Sequence, residues 1–176
     1  LGFMLWTAMS LLNPRPHSPR AGGRRIRGMA VGLSHLVLIT ILSGGFVAGI
    51  GAGFAYNTFP LMEGQLLPDG LFALEPFQRN FFEDITTVQF EHRLLALLVL
   101  AGAMAFWMRA RGFPLSGRAR MAVNTVFLAA LIQVSLGIAT LVLSVPVHLA
   151  ASHQAGAVVL FSAALWTVHE LRGGAS

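Results

Sequence analysis

Two histidines carry the chemistry that this sequence offers most directly: His92, in Gln89-Phe-Glu-His-Arg93, and His153, in His153-Gln-Ala-Gly156. Each falls within a long apolar run, where an ionisable group is costly and is a functional candidate by default. At a rise of about 1.5 Å per residue, His92 lies about 9 Å along a helix from Thr86, and His153 about 9 Å from Val147. The two runs are expected to cross in the same direction, so both imidazoles sit at one depth from one face. That arrangement suits bis-histidine haem ligation, in which the iron takes one nitrogen on each side of the macrocycle. Two histidines without thiolate or carboxylate partners do not complete a tetrahedral zinc site. A proton relay is a second reading, and imidazoles bonded only to a neighbouring helix are a third. The residues alone leave all three open.

The neighbours of this pair bear on the choice. Gly156 and Ala157 follow His153 by three and four positions, and Ala96 follows His92 by four, so each shares a helical face with its histidine and leaves room for a flat ring. Arg93 either snorkels to the outer interface beside Glu91 or pairs with a propionate, a contact suited to guanidinium. Gln89 and Gln133 read as buried amides joining helices, and Gly45, Gly49 and Gly53, four apart, as a close-packing face. The other histidines read as follows: His17 solvated in a basic segment, His35 bonded between helices, and His148 and His169 at interfaces. The absence of cysteine removes any disulfide framework or thiolate metal site.

The elements that must position these groups follow from composition. Of the 176 residues, 55% are hydrophobic and 11% charged, and the mean hydropathy is +0.70. That is too little charge to cover a soluble domain. Runs of about twenty apolar residues suffice to cross a bilayer. Complete spans are expected from Met29 to about Ile50, from about Gln89 to Met108, from about Met121 to Leu143, and from about His148 to Val168. Residues 1–12 read as the end of a preceding transmembrane helix and residues 13–28 as a basic loop broken by Pro14, Pro16 and Pro19. Residues 29–171 form the main unit, with an outer loop over 51–85, and 172–176 a tail. The net charge of +5 belongs to topology rather than to nucleic acid. Arg15, Arg20, Arg24, Arg25 and Arg27 precede the first span, Arg109, Arg111, Arg118 and Arg120 join the second to the third, and Arg172 follows the fourth. Against them, the loop 51–85 holds Glu63, Asp69, Glu75, Glu83 and Asp84 with Arg79 alone. Basic segments are therefore expected in the cytoplasm and the acidic loop outside. Its aromatic residues, among them Phe54, Tyr56, Phe72, Phe77 and Phe81, form either an interfacial belt or a cap over a haem edge.

Four stretches together resemble the haem A synthase family. Val47-Ala-Gly-Ile-Gly-Ala-Gly-Phe-Ala-Tyr-Asn-Thr-Phe-Pro-Leu-Met62 is similar to that family's glycine-rich helix end and the run after it. Gln89-Phe-Glu-His-Arg93 resembles its histidine motif, and Gln133-Val-Ser-Leu-Gly-Ile138 and His153-Gln-Ala-Gly156 resemble its last two helices. The likeness runs from about Val31 to Leu171 and keeps the motifs in order.

This resemblance implies an all-α integral membrane protein. The chain would be a four-helix transmembrane bundle, the second half of an eight-helix pseudo-symmetric protein, preceded by the tail of another helix. It implies oxidation of the haem O methyl group to the formyl group of haem A for terminal oxidase assembly. In the half represented here it implies a haem b held by His92 and His153, with Arg93 as a further cofactor contact. The catalytic glutamate of the family belongs to the other half, so no catalytic residue is assigned and this chain alone is expected to be inactive. Lack of cysteine places it with the class found in mitochondria and many Gram-negative bacteria, in the latter case in the inner membrane. Gly51 departs from the family, where a charged residue is frequent. The implied partners are haem O, membrane lipid, a haem O synthase, an electron donor and a further copy of the chain. A bis-histidine cytochrome b subunit of a quinone-linked complex is the alternative, followed by a transporter half with histidine relays.

Overall fold

The computed structural model describes residues 1–12 and 23–172. Pro14, Arg15, Pro16, His17, Pro19 and Arg20, and the residues after Arg172, lie outside the described residues. The helices are α1 (Gly2–Leu12), α2 (Gly23–Gly49), the single turn α3 (Asn80–Glu83), α4 (Ile85–Ala110), α5 (Gly117–Val142) and α6 (Val147–Glu170). Among the described residues the only extended pairing is one bridge between Met62 and Gln65, so the chain is all-α. Four helices, α2, α4, α5 and α6, are long and apolar enough to cross a membrane.

Helix ends follow local chemistry. Asp84 caps α4 by accepting from the Thr87 backbone N–H at 2.9 Å, and Ser116 caps α5 by accepting from Ala119 N–H at 3.2 Å. Such caps satisfy donors that a helix start leaves free. The Ser116 cap starts α5 at Gly117, ahead of the expected Met121. Helix α2 likewise begins at Gly23, not Met29, and takes in Arg24, Arg25 and Arg27. Arginine is a good helix former, and Ile26, fully buried among them, anchors that turn in the core.

The four long helices form a ring in which α2 packs on α4, α4 on α5, α5 on α6 and α6 back on α2, with α1 lying against α6. Small side chains let them approach: Ala30, Ala103, Ala110, Ala119, Ala122 and Ala130 are all buried, around Phe106, Val37 and Val126. The outward faces are as apolar as the interior, with Leu42, Leu98, Met104, Leu128, Ile132 and Val159 exposed. In water such faces would aggregate, whereas in lipid small-residue packing supplies the cohesion. Gly45 and Gly49 contribute nothing to it, because an added Cβ at either would meet no atom within 4 Å. The expected Gly45-Gly49-Gly53 packing face is therefore corrected: only Gly53 lies against a neighbour, Val145.

The loop between α2 and α4 is tied down along its length. Gly51 takes a left-handed conformation at φ 68° to leave α2, a backbone state that glycine adopts without cost. Asn80, fully buried, donates to the carbonyls of Leu74 and Phe77 and accepts from Leu74 N–H, each at 2.8 Å. Phe72, Phe77 and Phe81 cluster with centroids 5.4–5.9 Å apart.

Candidate functional site

His92 projects from α4 onto α2 and His153 from α6 onto α5, and the two contacts are built alike. A Cβ placed on Gly44 would lie 3.0 Å from His92 Cε1, and one on Gly137 would lie 2.9 Å from His153 Cε1. Each imidazole thus occupies a seat that only glycine leaves open. One helical turn before each glycine, the backbone of Thr40 reaches the His92 ring and that of Gln133 the His153 ring. The side chains add to this. Ser43 Oγ lies 3.3 Å from His92 Nδ1, and Gln133 Nε2 lies 3.1 Å from His153 Nδ1 while donating to the His153 carbonyl at 2.8 Å. Both side-chain contacts fall on Nδ1. Both imidazoles are half-buried.

Arg93 does not turn to Glu91. Its guanidinium donates to the Thr58 carbonyl at 2.8 Å and the Tyr56 carbonyl at 2.6 Å, while Nε is buried without a hydrogen-bond partner. Gln89 joins α4 to the same loop rather than to another helix, donating to Tyr56 O at 3.2 Å, and its Oε1 is also buried and unpaired. Tyr56 and Thr86 hydroxyls meet at 3.0 Å, and Asn57 donates to the carbonyls of Gly53 and Leu141. The loop is therefore fastened over the helix ends one to two turns from His92.

Three residues take different roles from those expected. A Cβ on Gly156 would fall 2.3 Å from Gln133 Oε1, so Gly156 gives passage to the carboxamide that holds His153, rather than room to a macrocycle. His35 is exposed and bonds its own helix, with Nδ1 2.8 Å from Val31 O, because its face of α2 points out of the bundle. His169 is fully buried, not interfacial, because α1 covers it: Trp6 meets its ring edge-on at 5.4 Å. Beside it, Glu170 pairs with Arg118 at 3.3 Å. His148 is exposed at the start of α6. Gly44, Gly137 and Ser43 were absent from the sequence-level candidates; lone glycines facing histidines on other helices give no signal until the helices are paired.

The residues fit a haem better than a bare metal ion. Among the described residues no group of three or more His, Cys, Asp or Glu side chains could enclose an ion, whereas a haem iron needs only two axial nitrogens from the protein, the number that the two seated imidazoles could offer. The unpaired Arg93 Nε adds a donor on the loop side.

Four long apolar helices packed as a bundle define a multi-pass integral membrane protein. The family model COX15-CtaA, a cytochrome oxidase assembly protein, matches residues 1–165, and the chain belongs to that family. It is 54% identical over 170 residues to the haem A synthase of Nitrosospira multiformis, covering 96% of this chain and 48% of that protein. It is 49% identical over 170 residues to the haem A synthase of Nitrosomonas eutropha, covering 96% and 48%. The haem A synthase COX15 of Homo sapiens is 43% identical over 169 residues, covering 96% of this chain and 41% of the human protein. The chain spans about half the length of the curated relatives it matches, their C-terminal half. No solved structure matches it.

Proposed function

We propose that this chain is the haem-holding C-terminal half of a haem A synthase, with His92 and His153 as the axial ligands of a haem b. The observation that carries the reading is the repeated seat: each imidazole rests on a glycine of the neighbouring helix and is engaged at Nδ1. Metal-bound histidines characteristically donate their second ring N–H to a carbonyl, which fixes the tautomer and ring orientation. A ring that donates Nδ1–H to a backbone carbonyl keeps the lone pair of Nε2 for iron; at His153, where the Gln133 Nε2–H now meets Nδ1 at 3.1 Å, taking that tautomer requires the Gln133 carboxamide to turn. Arg93, held by two loop carbonyls, presents its remaining Nε–H to a propionate. Bound there, the haem supplies one-electron redox chemistry; the chain sets its ligation, burial and orientation.

The intact enzyme would oxidise the methyl group of haem O to the formyl group of haem A for terminal oxidases. A haem O synthase, an electron donor and a second copy are its expected partners. The close likeness to relatives named haem A synthase, from bacteria and from mammals, supports this activity over that of a cytochrome b subunit. The arginine-rich segments favour the C-terminal end of α4 and the start of α5 on the cytoplasmic side, with loop 51–85 outside, and the likeness to bacterial haem A synthases supports a bacterial inner membrane. The test is turnover. The intact, haem-loaded protein supplied with haem O, dioxygen and reductant is expected to yield haem A, measured by chromatography of extracted haems. No haem A from such a preparation would overturn the synthase reading while leaving the ligand pair standing.

A further inference from the structure

Between α4 and α5, at the end where Arg109 to Arg120 connect them, the surface opens into a groove of about 370 Å³. Its wall is an ordered aromatic stack: the Trp107 and Phe127 rings lie 4.9 Å apart and 19° from parallel. Trp107 Nε1–H donates to Asn124 Oδ1 at 2.9 Å, and the Arg111 guanidinium sits 4.2 Å over the indole. Arg120 borders the groove from α5 and donates to the Phe113 carbonyl at 3.2 Å. Val123, Phe127 and Leu128 make the apolar side.

Among the described residues nothing neutralises the charge in this corner. No Asp or Glu occurs from Leu94 to His169, and the first acidic residue beyond, Glu170, is buried against Arg118. Arg111 and Arg120 form no ion pair among the described residues. The seam also lies away from α1, which packs on α6. The site therefore combines two cations at the end of a span with an apolar trough that runs into exposed, lipid-facing helix surface. A free anion would answer the cations but leave the trough unexplained. An amphiphile with an anionic head answers both, and basic pockets between helices on this side of a membrane are suited to such headgroups.

We propose that the groove between α4 and α5 binds one anionic phospholipid, its phosphate between Arg111 and Arg120 and an acyl chain along Phe127 and Leu128. The proposal does not depend on haem ligation. The intact protein purified in detergent would be offered phosphatidylglycerol, phosphatidylcholine or inorganic phosphate, and retained ligand counted by native mass spectrometry. One phosphatidylglycerol is expected to be retained in preference to phosphatidylcholine. Arg111→Gln and Arg120→Gln are each expected to weaken that retention about fivefold, the effect of one basic residue near a charged headgroup, while Arg109→Gln leaves it unchanged. Equal retention of the two lipids would overturn the proposal, and that comparison needs no variant to fold. So would an equal loss in Arg109→Gln, which would mean diffuse surface charge, or displacement of the lipid by inorganic phosphate at equal concentration.

Discussion

A single methyl group is a sensitive probe of the histidine seats. Alanine at Gly44 or Gly137 would press its Cβ to about 3 Å from an imidazole carbon, and overfilling a packed site costs about 1–3 kcal/mol. Gly44→Ala and Gly137→Ala are expected to lower the haem-to-protein ratio of the purified protein, whereas Gly45→Ala, with open space around it, should leave it unchanged. Gly156→Ala acts one step further out. It must expel the Gln133 carboxamide, and so resemble Gln133→Leu in loosening His153, a similarity that the shape and position of the low-spin absorption bands would show. At this scale the sequence was legible where a polar side chain stood in an apolar run, as with His92, His153 and Gln133. It was not legible where the informative group was a missing side chain. Gly44 sits beside Gly45, and nothing local distinguishes the one that faces His92 from the one with open space around it. His169 was misjudged for a related reason: its cover, Trp6, is far away in the chain.

The helices were the most legible elements, because a span announces itself by length and apolarity. Their ends were less so. Arginines read as a loop before α2 are helical because Ile26 packs in the core and the long side chains can reach water from a helix. The loop over 51–85 was legible only as acidic and aromatic; its order comes from contacts across long separations, Arg93 with Tyr56 and Thr58 above all. Hydrogen bonds to a charged donor are each worth about 1.5–3 kcal/mol, so Arg93→Ala is expected to free the loop, seen as faster proteolytic cleavage between residues 51 and 85. Arg93→Lys should restore only part of this, since an ammonium has donors for the carbonyls but neither the rigid planar fork nor an Nε–H. Within the loop, Asn80→Ala would strand the N–H and the carbonyl of Leu74 that its side chain now satisfies, while the Phe77 carbonyl keeps the residue 80 backbone N–H. A cost of about 3 kcal/mol follows from leaving such groups unpaired, to be read as a lowered midpoint of thermal unfolding.

At the scale of the whole molecule, the four family-like motifs become two mated pairs. The run containing Tyr56 and Thr58 receives Arg93 of the first histidine motif, and Gln133 and Gly137 receive His153 of the second. That pairing explains why motifs that are modest singly are informative together, and it could not be seen until the helices were assembled. Topology is open to test because the chain has no cysteine of its own. A cysteine introduced at Leu66, an exposed loop position, is expected to react with a membrane-impermeant maleimide in intact cells, and one at Gly112 is not. The central claim, that this half holds one haem between two helical hairpins, is tested most directly by the reduced-minus-oxidised absorption spectrum of the intact protein. It should be compared with His92→Ala, His153→Ala and the double variant. Sharp low-spin b-type bands assigned to this half, lost in each single variant with no further loss in the double, are the predicted result. Bands that persist unchanged in the double variant, in a folded preparation, would contradict the axial pair.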